Sequence, residues 1–374
     1  MMKKKEYCSL GIMSGTSLDG LDFSLLKTDG KKNIYPLINE YSKFNTEFKS
    51  SIKGLIKKFN TLDYKLAIES REFVKFNKIF TEDIYYKIKG ILKKHSIDKS
   101  SLDVIGLHGN TLIHNPEKGL SLQLGDAKSL SEKLQITVIS KFRDKDISKN
   151  GQGAPLVPIF HLYQFSEPGK NIMVVNIGGI SNFSLIVNKQ LTLASDIGPG
   201  NKLIDEFCSN EFNRDFDKDG KISIKGQVIE NLIEIWKKSN FFSEDHPISF
   251  NNSFFNLKDF VNSKKYKNHD YLRSLTFFSA LLISNVEKKI KYRVDKWIFC
   301  GGGTANSVLM KDLKGLIGEN KVFITKDYGL DPFFIESQAF AFISVRTMKG
   351  LPSSYPQTTG CEENCVCGIK FFPD

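Results

Sequence analysis

No apolar run among these 374 residues approaches the roughly 20 that a membrane-crossing helix needs, so no helical anchor is expected. The basic start, Met1-Met-Lys-Lys-Lys-Glu, leads into an apolar stretch too short for an export signal and broken by Ser14-Gly15-Thr16-Ser17. The expectation is a cytoplasmic protein that makes no membrane contact. Cysteine is sparse, at positions 8, 208, 300, 361, 365 and 367. Its one cluster, Cys361-Glu-Glu-Asn-Cys365-Val-Cys367, has neither a histidine nor a fourth cysteine near it in sequence, whereas structural zinc takes four ligands. These read as incidental thiols in a reducing compartment, and no residue is assigned to a metal. No low-complexity linker divides the chain.

Negative charge is the scarcer sign: 53 Lys and Arg against 42 Asp and Glu give +11. The excess is scattered through helical stretches, as at Lys87, Lys89, Lys93, Lys94 and Lys99, without a nucleic-acid-binding motif. It reads as a solvated surface, and no nucleic-acid partner is expected. With 40% hydrophobic and 25% charged residues the chain is of ordinary globular composition, long enough for two domains with separate cores.

What is present is a set of glycine turns, each following a short apolar run that reads as a strand. They are Gly11-Ile-Met-Ser-Gly-Thr-Ser-Leu-Asp-Gly20, Asn176-Ile-Gly-Gly-Ile-Ser-Asn182 and Cys300-Gly-Gly-Gly-Thr-Ala-Asn306. Residues 7–12 and 21–27 read as strands around the first turn, and 172–177 and 182–187 around the second. A strand at 104–107 is expected to end at His108-Gly109-Asn110-Thr111, and Ile136–Ser140 reads as another. Residues 64–95 carry helical periodicity, as do 272–291 and a stretch beginning near Lys202. Two hairpin-led α/β halves point to an ancient duplication, with one nucleotide held between two lobes.

Glycines let backbone approach a ligand closely, and amides of such turns can face phosphate oxygens. In the first turn Thr16 and Ser17 add hydroxyls, while Asp19 and Asp22 are candidates for a water-mediated Mg²⁺ contact. No Gly-Lys-Ser/Thr follows, so this is not a Walker-type loop; a plain hairpin turn is the rival reading. Gly301, Gly302 and Gly303 leave bare backbone against which an adenine could lie, and Gly178-Gly179 could face the phosphates. The sharpest single residue is Asp196, in Asp196-Ile-Gly-Pro-Gly-Asn201. It reads as a catalytic base at a strand end, or as a cap on the helix that follows. His108 and Arg143, also at strand ends, either line a polar pocket or serve the core and a surface ion pair.

These blocks, in this order, resemble the anhydro-N-acetylmuramic acid kinase family. The match runs through Met13–Gly20, Leu107–Thr111, Leu122-Gln-Leu-Gly-Asp126, Phe142-Arg143 with Asp146-Ile147, and Gly151–Pro158. It continues through Asn176–Asn182, Asp196–Asn201, Asp217-Lys-Asp219, Cys300–Gly303 with Asn306, and Gly329–Pro332 with Glu336. The resemblance implies an α/β, two-lobed sugar kinase/actin-like ATPase fold with duplicated ribonuclease-H-like domains. Lobes of 1–140 (with about 357–374) and 141–356 are expected.

It also implies an enzyme that hydrolyses the 1,6-anhydro bond of the amino sugar and phosphorylates its 6-oxygen with ATP and Mg²⁺. The product is N-acetylmuramic acid 6-phosphate, in cell-wall (peptidoglycan) recycling, and the enzyme is expected to be a homodimer. By this match Asp196 is the base, and Gly15, Thr16, Ser17, Leu18, Asp19, Gly20, Leu21 and Asp22 hold ATP phosphates and Mg²⁺. Gly178, Gly301, Gly302 and Gly303 complete the nucleotide site, while Thr111, Arg143 and Glu336 meet the sugar. The chain departs from the family at Asn110, at Asn251-Asn252-Ser253, at Phe333 and around Cys361. None of these departures removes the base or a phosphate turn. The rivals are another small-molecule kinase of the superfamily and a slow ATPase with a regulatory role.

Overall fold

The computed structural model describes residues 5–15, 18–59, 64–239, 242, 245–250, 254–261 and 265–374. By its contacts the chain divides into two units, Met1–Gln164 with Glu336–Asp374, and Phe165–Ile335. The divisions fall after Gln164 and Ile335, where the sequence reading sets them at 140 and 356. The helices at both junctions account for the difference. Pro158–Phe165 nearly completes within the first unit, and Ile335–Lys349 belongs to that unit's sheet.

In the first unit β1 (Tyr7–Ser14), β2 (Gly20–Thr28) and β3 (Ile34–Lys43) form an antiparallel meander. On the other side of β1, β4 (Val104–Asn115) and β6 (Thr137–Ser140) add in parallel. The short β5 (Leu120–Gln123) pairs with β4, and β12 (Ile369–Phe371) closes the edge beside β6. β4 does not end at His108. It runs on through Thr111 to Asn115, and a register shift between Ile12 and Met13 carries it past Gly109, whose φ is +73°.

Alternation along β1 shows how this sheet is covered on two faces. Leu10 and Ile12 join the core that holds Phe80, Ile84 and Ile88 of the helix Arg71–Lys94. That helix begins where Ser70 accepts a hydrogen bond from the Phe73 amide at 3.2 Å. The other face meets the helix Ile335–Lys349: Ser9 Oγ donates to Ala341 O at 2.8 Å. A Cβ on Gly11 would lie 1.9 Å from Ser337 O, so only glycine permits this approach. The approach fixes the helix's first turn, which carries Glu336.

The second unit repeats the plan. β7 (Asn171–Ile177), β8 (Ile180–Val187) and β9 (Gln190–Pro199) form the meander. β10 (Lys296–Cys300) adds parallel to β7, and β11 (Val322–Ile324) parallel to β10. Each unit therefore has a meander whose first strand pairs on its far side with a parallel strand that itself pairs with a second, which is the ribonuclease-H-like order. The long helix Asn268–Lys289 buries Leu272, Leu275, Phe278, Ile283 and Val286 in a core shared with Met173, Val175, Phe183 and Leu185. The chain has the duplicated two-unit α/β fold its sequence implies.

Candidate active site

Asp196 lies within β9, three residues before its end, opposite Asn182. Ser181 pairs with Gly198, so Ile197 is one residue too many: a bulge directly after Asp196. Bulges break the strict alternation of a strand and re-aim the neighbouring side chain. The segment 245–250 runs beside this point. The Asp196 amide donates to Ile248 O at 2.9 Å, and Asp196 Oδ2 accepts from the Phe250 amide at 2.8 Å. Ser195 Oγ accepts from the Ile248 amide at 2.7 Å and lies 2.9 Å from His246 Nδ1.

Burial pushes the Asp196 carboxyl up to about 6, and the Phe250 N–H opposes it. A carboxylate poised there accepts a proton near neutral pH far better than an ordinary aspartate. The capping reading fails. The helix Lys202–Phe212 has its N-cap position at Asn201, five residues further on. The Asn201 amide donates to Gly178 O at 2.8 Å, and Gly200 and Lys202 amides donate to Gly179 O at 2.9 and 3.1 Å. The Gly178-Gly179 turn is therefore knotted to the Gly-Pro-Gly turn, and its carbonyls are spent on that junction.

The three glycines after β10 are not equivalent. Gly301 has φ +84°, and a Cβ there would lie 2.3 Å from Asn176 Oδ1. A Cβ on Gly303 would lie 2.2 Å from Ile177 Cγ2. Both glycines are demanded by packing within this unit. Gly302 is exposed, and a Cβ would meet nothing closer than Asn201 Nδ2 at 4.0 Å, so packing does not demand glycine at this position. Asn306, accepting from the Val308 and Leu309 amides at 3.1 Å, then starts the helix Ser307–Ile317.

In the first unit, Thr16 and Ser17 of the β1–β2 turn lie outside the described residues, as do Asn251–Ser253 in the second. On either side of them, the Leu18 amide donates to Gly15 O at 3.2 Å, and Leu18 holds a left-handed φ of +57°. Leu18 and Leu21 bury their side chains in the core, which leaves only their backbone to a ligand. Gly20 has a packing reason of its own: a Cβ would lie 2.4 Å from Ser42 O and 2.7 Å from the Tyr41 ring.

Asn110 Nδ2 donates to Gly15 O at 3.1 Å and to Ser14 Oγ at 3.2 Å, which ties β4 to the turn. Asp19 is exposed and paired with Lys49 at 2.6 Å; Asp22 is half-buried on β2. Burial, followed by the charges of Asp19 and Asp22, pushes the Tyr41 phenol up, so the two carboxylates share one neighbourhood. Two hard oxygen donors so placed fit a hydrated Mg²⁺.

The sugar candidates of this unit are partly brought together. Arg143 Nη1 donates to Gly153 O at 2.8 Å and Nε to His108 Nε2 at 3.2 Å. Burial raises Glu336 and lowers Arg143, and each charge offsets the other's shift, so the two lie within electrostatic reach. The His108 ring packs tilted against Phe340, with centroids 4.3 Å apart, and is held well below the usual histidine range, first by burial and then by Arg143. Its neutral ring accepts from Arg143 instead of competing with it. Thr111 lies on β4, where Gln123 Nε2 reaches its hydroxyl at 3.5 Å.

Sequence reasoning missed the 245–250 segment, Ser195 and the Asn110 bridge. The first carries no motif, and its contacts to Asp196 are made by the Ile248 carbonyl and the Phe250 amide, backbone groups that leave no trace in residue type. Asp217 was legible as a motif only. It accepts from the Ile222 and Ser223 amides at 2.8 and 3.1 Å and so shapes its own loop.

A sequence profile described as anhydro-N-acetylmuramic acid kinase matches residues 7–373. The chain is 32% identical over 370 residues to the anhydro-N-acetylmuramic acid kinase of Pseudomonas syringae pv. syringae (strain B728a), covering 98% of this chain and 99% of that one. It is 34% identical over 383 residues to the enzyme of the same name from Pelagibacter ubique (strain HTCC1062), covering 98% of each. Among solved structures it is distantly similar to the activator of the 2-hydroxyisocaproyl-CoA dehydratase from Clostridium difficile with bound ADPNP. That similarity has a TM-score of 0.46 and 13% identity, over 92% of this chain and 96% of the other.

Proposed function

Since this chain belongs to the anhydro-N-acetylmuramic acid kinase family, we propose that Asp196 is the base of its reaction. The chain is an ATP-using kinase of an amino sugar, with the role in peptidoglycan recycling that its family implies. The anhydro bridge leaves no free 6-hydroxyl, so ring opening and phosphoryl transfer are coupled. Water attacks the anomeric carbon and gives its proton to Asp196. The bond from C1 to O6 breaks, and the freed 6-oxygen takes the γ-phosphoryl group. What supports this assignment is a buried carboxyl at a bulge beside the Gly-Pro-Gly turn, held by one backbone N–H and pushed up by its burial to about 6.

The backbone of Gly15–Asp22 serves the phosphates in this reading, and Gly302 with its flanking glycines serves the adenosine. Gly178 braces the Gly-Pro-Gly turn on the same side. Asp19 and Asp22 reach Mg²⁺ through water; when bound, that ion neutralises charge on the phosphates. Arg143 and Glu336 recognise polar groups of the sugar, with Thr111 as a further contact on β4. No helix among the described residues is long and apolar enough to cross a membrane. A cytoplasmic homodimer is the form we infer from the family, to be checked by sedimentation.

The test is mass spectrometry of products from ATP and 1,6-anhydro-N-acetylmuramic acid. The expected product has gained one water and one phosphoryl group. Gain of a phosphoryl group alone on other sugars, with the anhydro sugar untouched, would favour a different kinase activity. ADP release without any sugar product would favour a plain ATPase.

A further inference from the structure

The cysteine-rich segment near the C-terminus is unused by the reaction. The sequence supplies it with too few ligands for a metal, and folding changes that count. Asp146 follows Arg143 by three residues, in the short helix Asp144–Ile147, and it is fully buried. One of its carboxylate oxygens and the sulfurs of Cys361 and Cys365 all lie within 4.8 Å of one another. The two cysteines are 1% and 2% exposed.

Both sulfurs also converge on one backbone oxygen: Glu363 O is 3.1 Å from Cys361 Sγ and 3.2 Å from Cys365 Sγ. Two sulfurs and two oxygens therefore point into one small volume. Gly151 borders it, and a Cβ there would lie 2.1 Å from Asp146 Oδ1 and 2.8 Å from Cys361 Cβ. Cys367 is separate, with its sulfur 3.4 Å from Ser354 Oγ.

The geometry points to a binding site for a zinc-class divalent cation, held by Asp146, Cys361 and Cys365 with the Glu363 carbonyl as fourth donor. Borderline-soft d¹⁰ ions take such mixed sulfur and oxygen sets in tetrahedral arrangement. Donors about 2.0–2.3 Å from a tetrahedral centre are roughly 3.3–3.8 Å apart, so the present cluster needs to contract by about 1 Å. On binding, both thiol protons pass to solvent, and two thiolates with one carboxylate face the ion.

The hydrogen bonds around Asp146 give the site a purpose. Thr359 Oγ1 donates to Asp146 Oδ2 at 2.5 Å, and the Gly153 amide donates to Oδ1 at 2.6 Å. Gly153 O is the acceptor for Arg143. Outside the cluster, Lys149 pairs with Glu363 at 2.7 Å, and Asn150 Nδ2 donates to Glu362 at 2.6 Å. The cation would lock the 359–367 segment onto the turn that aims Arg143.

The test uses the full chain, stripped with a chelator and fully reduced, then titrated with Co²⁺. One Co²⁺ per chain is expected, with near-ultraviolet thiolate-to-metal absorption that zinc abolishes by displacement. Cys361→Ser and Cys365→Ser should each weaken binding at least tenfold, and Asp146→Asn should do the same, while Cys208→Ser leaves it unchanged. The wild-type titration stands even if a variant fails to fold. Absence of the thiolate band from the reduced wild type would overturn the site. So would a band that survives both cysteine substitutions. Neither result touches the kinase reading, because the signal needs no turnover.

Discussion

Asp196 Oδ2 accepts the Phe250 backbone N–H at 2.8 Å, so the proposed base is held by a backbone amide of a neighbouring segment. An amide at this position can keep that contact through its oxygen, but it cannot take a proton from water. Asp196→Asn should therefore fold normally, bind ATP normally and lose turnover by roughly 10²–10⁴-fold, the usual worth of a general base. Calorimetric ATP titration alongside steady-state rates checks both halves. Near-normal turnover would remove Asp196 from the role.

The acid limb of the pH profile belongs to the same group. The carboxyl value of about 6 means that kcat/KM should rise with pH up to about 6 and then level off, because only the ionised form is a base. Stability runs the other way. A carboxyl raised in the fold above its ordinary 3.8 holds its proton more tightly folded than unfolded. Its contribution is therefore present in acid and is lost as pH rises from the ordinary value through about 6. Residual turnover of Asp196→Asn should lack the limb, and its melting temperature should lack the corresponding fall.

The glycine triplet separates packing from binding. Gly303→Ala forces a Cβ to 2.2 Å from Ile177 Cγ2, an overpacking that typically costs about 1–3 kcal/mol. Gly302→Val meets no such wall and should leave thermal stability unchanged while weakening ATP binding. Melting curves and nucleotide titration of the two variants should give opposite patterns. Unchanged affinity in folded Gly302→Val would make the whole triplet structural.

Arg143 and Glu336 should behave as a pair. Removing the guanidinium in Arg143→Ala leaves Glu336 with its burial and no offset, so its carboxyl rises further. That variant should be destabilised more at neutral pH, where the carboxyl must ionise, than in acid, where it stays protonated. Adding Glu336→Gln should erase the pH dependence. In steady state both single variants should raise KM for the sugar at least tenfold and leave KM for ATP nearly unchanged. Equal effects on both substrates would count against sugar contacts.

The sequence made the leading hairpin of each unit legible, because β1, β2, β7 and β8 are short apolar runs around glycine turns. The edge strands β3, β11 and β12 were not, and neither was the helix Ile335–Lys349. That helix is buried nearly all round, with polar and apolar residues mixed, so it has little periodicity to read, and its place depends on glycines far off in sequence at Gly11 and Gly106. β4 was cut short at His108 because glycine and asparagine there imitate a turn. In the site, side-chain chemistry could be read from residue types, as at Asp196 and Arg143. What backbone groups supply could not, which is why the Ile248 and Phe250 contacts to Asp196 were missed. The meeting of Asp146 with Cys361 and Cys365 spans over 200 residues and leaves no local signature.

Oxygen tracing tests the coupled step itself. If Asp196 activates water for attack on the anomeric carbon, turnover in ¹⁸O-labelled water should put label on the anomeric oxygen of the product. The phosphoryl group should carry none, because its acceptor is the sugar's own 6-oxygen, released when the bridge opens. A kinase that phosphorylates a hydroxyl already present draws no solvent oxygen into either place. Free sugars exchange their anomeric oxygen with water, so the reaction must be quenched early and compared with product incubated alone for the same time. Label on the phosphate would report ATP hydrolysis uncoupled from the sugar. Label at the anomeric carbon no greater than in the incubated control would mean that water does not open the ring, and Asp196 would lose its substrate.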